Sequence, residues 1–272
     1  MRLLKNVLCA RHARRRAPPV HNKMELLPWI PLHKLDKTAL SRNPNAIDVL
    51  MANPHLICVG GLSMNPKAPS AILENNLDRL SWIHVSESLG DLEFLEKHQD
   101  RIWWRWLSRN PAAVPLLLHN TDKIDRYFFS QNPSAVPYLS QNKRFISRRD
   151  ICLNPDAHET MLSKRYLFEL TQNPSPAAMH IVAQNLDQLD HSSWGMLSTN
   201  PCAIPILEQH PEKINWFDLS KNPAASPLLE RNLDRINWIN LSSNPGAIDL
   251  LRRNQHKIYW PAFSENPAIF CT

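Results

Sequence analysis

Residues 222–243 read NPAASPLLERNLDRINWINLSS, and Asn244-Pro245 starts the same pattern again. Asn-Pro recurs at Asn43, Asn65, Asn110, Asn132, Asn154, Asn173, Asn200, Asn222, Asn244 and Asn266. Most gaps are 22 residues. One gap of 45 holds a worn copy, with Ser86-Glu87-Ser88-Leu89-Gly90 standing where Ser-x-Asn-Pro-x belongs, and gaps of 19 and 27 follow Asn154. A fixed period of this length marks a repeat protein, in which one small unit stacks on the next because it cannot bury its apolar face alone. About eleven copies fill residues 24–272.

Stacked, the copies read L-S-x-N-P-x-A-I-P-L-L-x-x-N-x-D-K-I-x-W-x-x. Asn is a strong N-cap, because its side-chain oxygen accepts an orphan N–H of the first turn. Proline directly after it suits the first helical position, whose N–H has no intrahelical partner. Ala, Ile or Val, and Leu at three, four and seven residues after Asn share one helical face. A second proline at five (Pro115, Pro137, Pro205, Pro227) would cost an ongoing helix a hydrogen bond. The spacing therefore predicts a tight Asn-Pro turn, with the helix proper starting near the second proline.

A second Asn column, ten residues after the first, reads as a left-handed helix end (Asn53, Asn75, Asn120, Asn142, Asn232, Asn254). The acid before Lys/Arg-Ile, as in Glu212-Lys213-Ile214 and Asp234-Arg235-Ile236, reads as the cap of a second helix carrying Trp. The Trp column (Trp82, Trp104, Trp194, Trp216, Trp238, Trp260) reads as core, and the Asn columns as ladders that satisfy buried backbone. The predicted fold is all-α, a solenoid of short helix pairs, bending at 86–90 and 154–200. A leucine-rich-repeat solenoid shares the 22-residue period and ranks second. Its strand alternation fails at Arg105 and Pro261.

The pattern LSxNPxAIxLLxxNxDKIxW resembles tandem repeats in uncharacterised proteins of giant and other large double-stranded DNA viruses, over roughly residues 24–272. The opening Met24-Glu25-Leu26-Leu27-Pro28-Trp29-Ile30-Pro31, running into a half repeat, is similar too. The resemblance implies a viral origin, a repeat fold and an intracellular setting in host cytoplasm, viral factory or virion. It supplies no catalytic residue.

Charge divides the chain in two. Seven basic residues and no acidic one precede Glu25, whereas the remainder carries 24 basic and 25 acidic residues. Arg11, Arg14, Arg15 and Arg16 form the dense part of this basic tail, which reads as a nucleic-acid-binding or targeting arm. Residues 1–23 are expected to be disordered; an extension upstream of a true start at Met24 is the alternative. With 43% hydrophobic and 21% charged residues, the body reads as folded. No apolar run reaches the ~20 residues of a membrane span.

Five glycines, at 60, 61, 90, 195 and 246, leave no dinucleotide fingerprint, phosphate loop or nucleophile elbow. Cys9, Cys58, Cys152, Cys202 and Cys271 form no CxxC pair, and twelve histidines form no HExxH, so neither a disulfide framework nor a metal site is expected. No cofactor is expected either. Asp187, Asp190, His191, Ser192 and Ser193 read as a loop insertion rather than a hydrolytic triad.

These exclusions point to a non-enzymatic scaffold that binds a protein partner at positions departing from the consensus. The candidates are Trp103, Trp106, Tyr127, Arg148, Arg149, Lys164 and Arg165. The alternative is a virion or viral-factory component binding nucleic acid or an acidic partner through the basic tail. Within the body, Trp103, Trp104 and Trp106 beside Arg101, Arg105 and Arg109 interleave aromatic and basic residues as single-strand binders do, although Trp104 belongs to the repeat column and reads as core.

Overall fold

The computed structural model describes residues 23–271. Each copy begins at its Asn, counted below as position 0. In the copy at Asn132, a 3-10 turn over Pro133–Ala135 leads into a helix over Val136–Gln141. A second 3-10 turn (Lys143–Phe145) and an extended step follow. The helix before that Asn, Arg126–Gln131, completes the unit. Both prolines, Pro133 and Pro137, lie in a first turn where no N–H is missed. The expected Asn-Pro turn and late helix start are what the chain adopts.

Three apolar columns make the core. At −3 stand Leu40, Leu62, Val85, Leu107, Phe129, Ile151, Leu170, Leu197, Leu219, Leu241 and Phe263, all buried. Ala46, Ala113, Ala135, Ala203 and Ala225 at +3 are fully buried, as are Leu117, Leu139, Leu207 and Leu229 at +7. Each buried Leu contributes about 1.5–3 kcal/mol, none of it available to a copy standing alone.

Two polar ladders run through this core. Asn222 donates from Nδ2 to the carbonyls of Ser198 (3.0 Å) and Asn200 (2.9 Å), while its Oδ1 accepts the Ala224 N–H (3.0 Å). The ten asparagines at position 0 all repeat this three-bond pattern, and next to the worn copy Asn110 uses the carbonyls of Ser86 and Leu89. Beside them, Ser220 at −2 donates to the Trp216 carbonyl (2.8 Å) and accepts the Asn237 N–H of the next copy (3.0 Å). The serine ladder lapses where −2 is Cys152 or Thr171, the copies of irregular length. The Asn ladder passes through 154–200 without a break, but at the worn copy Ser88 takes the Asn place and keeps only a 3.5 Å bond to the Ser63 carbonyl.

The stack has no ends. Asn43 donates to the carbonyls of Ser264 (3.2 Å) and Asn266 (2.9 Å), and the Asp36 N–H reaches Ser264 Oγ (2.8 Å). These are the bonds the regular copies make to their predecessors, as Asn222 and Asn237 do. Glu25 and Leu26 pair antiparallel with Cys271 and Phe270, the one strand pair among the described residues. Residues 25–35 thus supply the second half of the copy that Asn266 begins, and the solenoid closes into a ring.

The Trp-column helices form the inner layer of that ring. Lys37–Arg42 packs on Val59–Leu62, Leu167–Gln172 on His191–Thr199, Trp238–Ser242 on Trp260–Ser264, and Trp260–Ser264 back on Lys37–Arg42. No two successive helices of the other set pack comparably, as an outer layer of larger circumference requires.

Two local expectations fail. The Asn residues at +10 are not left-handed: Asn120 has φ −134° and Asn254 φ −129°. Instead Nδ2 donates to the carbonyl four residues back, as from Asn120 to Leu116 (3.0 Å). Nor do Glu212 or Asp234 cap the Trp helices, since both lie in 3-10 turns. The cap is at −7, where Asn237 Oδ1 accepts the Asn240 N–H (2.9 Å) and Asp125 Oδ1 accepts from Tyr127 (3.0 Å) and Phe128 (3.1 Å).

Candidate interaction surfaces

The Trp column is not simple core. Trp194 is buried, but Trp82, Trp104, Trp216, Trp238 and Trp260 are half-buried. A cation nineteen residues further on covers each exposed face: Arg101 over Trp82, Lys123 over Trp104 (4.2 Å), Arg235 over Trp216 (5.1 Å) and Lys257 over Trp238 (4.5 Å). Lys34 takes that place over Trp260 (5.0 Å), so this column closes the ring as well. The Lys/Arg of the D-K-I element is therefore a cation–π partner, not part of a helix cap.

The inner helices show a different face. Their position −5 points away from the buried −3 side and carries Tyr127 (48% exposed), Phe168 (40%), Phe217 (54%) and Ile239 (55%), along with Arg105 and Arg149. Trp103 (54%) and Tyr259 (46%) stand exposed at −7. The outer layer is charged instead, with Arg101–Asp78, Lys97–Glu74, Arg231–Glu208 and Arg253–Glu230 joining neighbouring copies.

Of the residues singled out from sequence, Trp103, Tyr127 and Arg149 belong to this inner surface. Arg149 Nε bonds Glu169 (2.5 Å), a buried carboxylate of the next copy, and that bond raises the guanidinium above its usual range. Trp106 is half-buried against Phe128 (4.9 Å). Arg148 lines a separate cleft, and Lys164 and Arg165 are exposed in a 3-10 turn. Phe168, Phe217, Ile239 and Tyr259 were not singled out. Their signal was available as apolar residues in a variable column.

The Arg-Trp cluster at 101–109 is not an open basic platform. Arg101 pairs with Asp78 (2.9 Å), Arg105 with Asp125 (3.6 Å) and Arg109 with Glu87 (3.2 Å). The polar knot at 187–193 resolves into a helix start: Asp190 Oδ1 accepts the Ser193 N–H (2.8 Å), and its hydrogen bonds to Ser193 hold the carboxyl below its ordinary value. Burial pushes the Cys152 thiol up, whereas the Thr38 hydroxyl and the Gly61 N–H draw Cys58 down. Among the described residues no three His, Cys, Asp or Glu side chains gather within reach of one metal ion, and no helix is long and apolar enough to cross a membrane. No buried side-chain N or O among them lacks a partner. Arg11, Arg14, Arg15 and Arg16 lie outside the described residues.

Fold and surfaces together define a closed, all-α repeat ring with a charged outer layer and an aromatic inner one. No family model, curated protein or solved structure matches the chain.

Proposed function

We propose that the chain is a non-enzymatic scaffold for protein–protein interaction, and that its inner face receives an apolar segment of a partner. The single observation that carries this reading is the −5 column, where Tyr127, Phe168, Phe217 and Ile239 stand exposed in one register of the ring. Aligned exposed apolar side chains mark interaction surfaces, whereas scattered ones do not. Tyr, Trp and Arg, all present here, are the residue types that dominate binding hot spots. Every copy is held on both sides by the ladders, so the surface is rigid before binding and little ordering has to be offset. The hydroxyls and carboxamides that could do chemistry are engaged: Ser220 and Asn222 each hold backbone of a neighbouring copy. The resemblance of the repeat sets such a scaffold in infected-cell cytoplasm, a viral factory or a virion.

Selection of a random peptide library on the intact ring tests the reading. Peptides with apolar or aromatic anchors should emerge, and Phe217→Ser with Ile239→Ser should weaken them at least tenfold, while Glu208→Gln on the outer layer leaves them unchanged. Peptides that bind the inner-face variants as well as the parent would overturn it.

A further inference from the structure

Equivalent grooves open between successive copies, and comparing two of them isolates a site. The groove at Trp216 is walled by Glu208 at −14, Pro211 at −11, Ile214 at −8, Trp216 at −6 and Leu228 at +6, with Arg231 and Arg235. Both cations there are engaged, Arg235 over Trp216 and Arg231 on Glu208 (2.8 Å).

The same five positions of the Asn154 copy are Ser140, Lys143, Ile146, Arg148 and Thr160, and they line a cleft of about 410 Å³ together with His158 and Met161. Acid has become hydroxyl, proline lysine, tryptophan arginine and leucine threonine; only the isoleucine floor is kept. Arg148 replaces the Trp that would hold a cation, so the pairing within the groove is gone. Among the described residues neither Lys143 nor Arg148 has a carboxylate partner, in contrast to Lys97, Arg101, Arg231 and Arg253 of the outer layer. Asp156 and Glu159, the acids beside His158, do not line the cleft. Asp150 is turned to Gln131 (2.9 Å) and Ser147 (2.5 Å). The cleft forms where the repeat is shortened to 19 residues and the outer helix after Asn154 gives way to a 3-10 turn, Glu159–Met161.

From this substitution of an entire groove we infer that the Ser140–Met161 cleft binds a phosphate monoester. Lys143 and Arg148 supply two positive charges, Arg148 a planar fork of donors suited to phosphate oxygens, and His158 and Thr160 further polar groups at the rim. Ser140 Oγ donates to the Pro137 carbonyl (2.8 Å) and shapes the wall. Ile146 and Met161 give the floor an apolar surface for the carbon skeleton that carries the phosphate. The volume is in the range of ~300–1,000 Å³ that holds small ligands, enough for a mononucleotide or a phosphorylated side chain. The inference stands whether or not the inner face binds a partner.

Isothermal titration at low salt separates the outcomes, with a phosphoserine peptide, its unphosphorylated twin, AMP and adenosine as probes. At least one phosphorylated probe should bind and its unphosphorylated counterpart should not; the tighter of AMP and phosphopeptide identifies the source of the phosphate. Arg148→Trp, which restores the residue of the column, and Lys143→Gln should each weaken binding tenfold or more, with unchanged helical spectra. Lys67→Gln, on another copy, should leave it unchanged. Binding of neither phosphorylated probe, or equal weakening by Lys67→Gln, would overturn the site. Should Arg148→Trp disturb folding, Lys143→Gln alone decides.

Discussion

Asn43 donates from Nδ2 to the carbonyl of Asn266 at 2.9 Å, across 223 residues of chain, in the arrangement that joins Asn244 to Asn222 across 22. Open solenoids expose the polar and apolar surface of their terminal copies and need capping repeats with a polar outer face. Here closure removes the ends, as a barrel removes sheet edges. The seam carries the full set of contacts: both ladders, the Arg42–Glu265 pair (2.8 Å) and the Lys34–Trp260 contact. Splitting one copy between the two termini makes chain closure and ring closure a single event.

Asn43→Ala should therefore cost as much as Asn222→Ala. Each change leaves one buried carbonyl (Ser264 or Ser198) and one N–H without a partner, while the Asn266 and Asn200 carbonyls keep the N–H of Ile269 and Ala203. At about 1–3 kcal/mol for each orphaned group, a loss of at least ~2 kcal/mol is expected. Urea midpoints measure it. A much smaller effect at Asn43 would mean that the ends fray and the ring opens in solution. Asn222→Asp should be worse at neutral pH, since it sets a buried carboxylate against two carbonyl oxygens. Burial raises that carboxyl's folded pKa above its unfolded value. The deficit is then fully present at high pH and shrinks as pH falls through the folded pKa.

Adjacent glycines should respond with opposite signs. Gly60 faces open space, and Gly60→Ala should stabilise by about 0.4–1 kcal/mol through the unfolded chain. A Cβ on Gly61 would lie 2.5 Å from the Thr38 carbonyl oxygen and 2.7 Å from Ser41 Cβ, where two inner helices cross closest. Gly61→Ala should destabilise by about 1–3 kcal/mol. Thermal melts of the two variants check the close approach that the inner layer requires.

Much of this architecture was legible because the repeat states it eleven times. Leu at −3, Ala at +3 and Leu at +7 recur at helical spacing, and the Asn-Pro turn follows from two prolines that no continuous helix admits. The role of Asn as ladder was legible too, since a capping residue alone could vary among Ser, Asp and Thr, whereas only a carboxamide offers two donors and an acceptor together. Closure was not legible: whether copy eleven meets copy one depends on a small rotation per copy, summed over the whole stack, which no local pattern encodes. The inner aromatic column was hidden for a related reason. Position −5 varies among Phe, Ile, Tyr, Arg, Gly, Thr and Pro, and variation in a repeat reads as surface without saying which surface.

Within the Trp column, the cost of truncation should follow burial and cation contact. Trp194→Ala, in the buried copy, should cost about 3–5 kcal/mol. Trp238→Ala, half-buried beneath Lys257, should cost less, on the order of 2 kcal/mol by the apolar area it still covers. Lys257→Gln should remove about 0.5–1 kcal/mol, and in a double-mutant cycle that loss should vanish once Trp238 is Ala. Additive losses would assign the lysine to solvent rather than to the indole.

The basic tail and the ring are separable by charge. Seven basic residues precede Glu25, and the remainder is close to neutral, so strong affinity for nucleic acid, where present, should reside in residues 1–23. A protein beginning at Met24 retains the Met24 N–H bond to Asp48 Oδ2 (2.8 Å) and the pairing of Glu25 with Cys271, so it should keep its helical spectrum and its melting temperature. Full-length affinity for duplex or single strand should fall with salt, seven phosphate contacts giving a log–log slope on the order of −5 to −6. Loss of binding in the Met24 protein would support the tail as a nucleic-acid arm and leave the inner face for protein. Equal binding by both forms at moderate salt would contradict the charge argument. Arg101, Arg105 and Arg109 are already paired with carboxylates, whereas Lys143 and Arg148 share one cleft and have no carboxylate partner among the described residues. Charge reversal there would then be the next measurement.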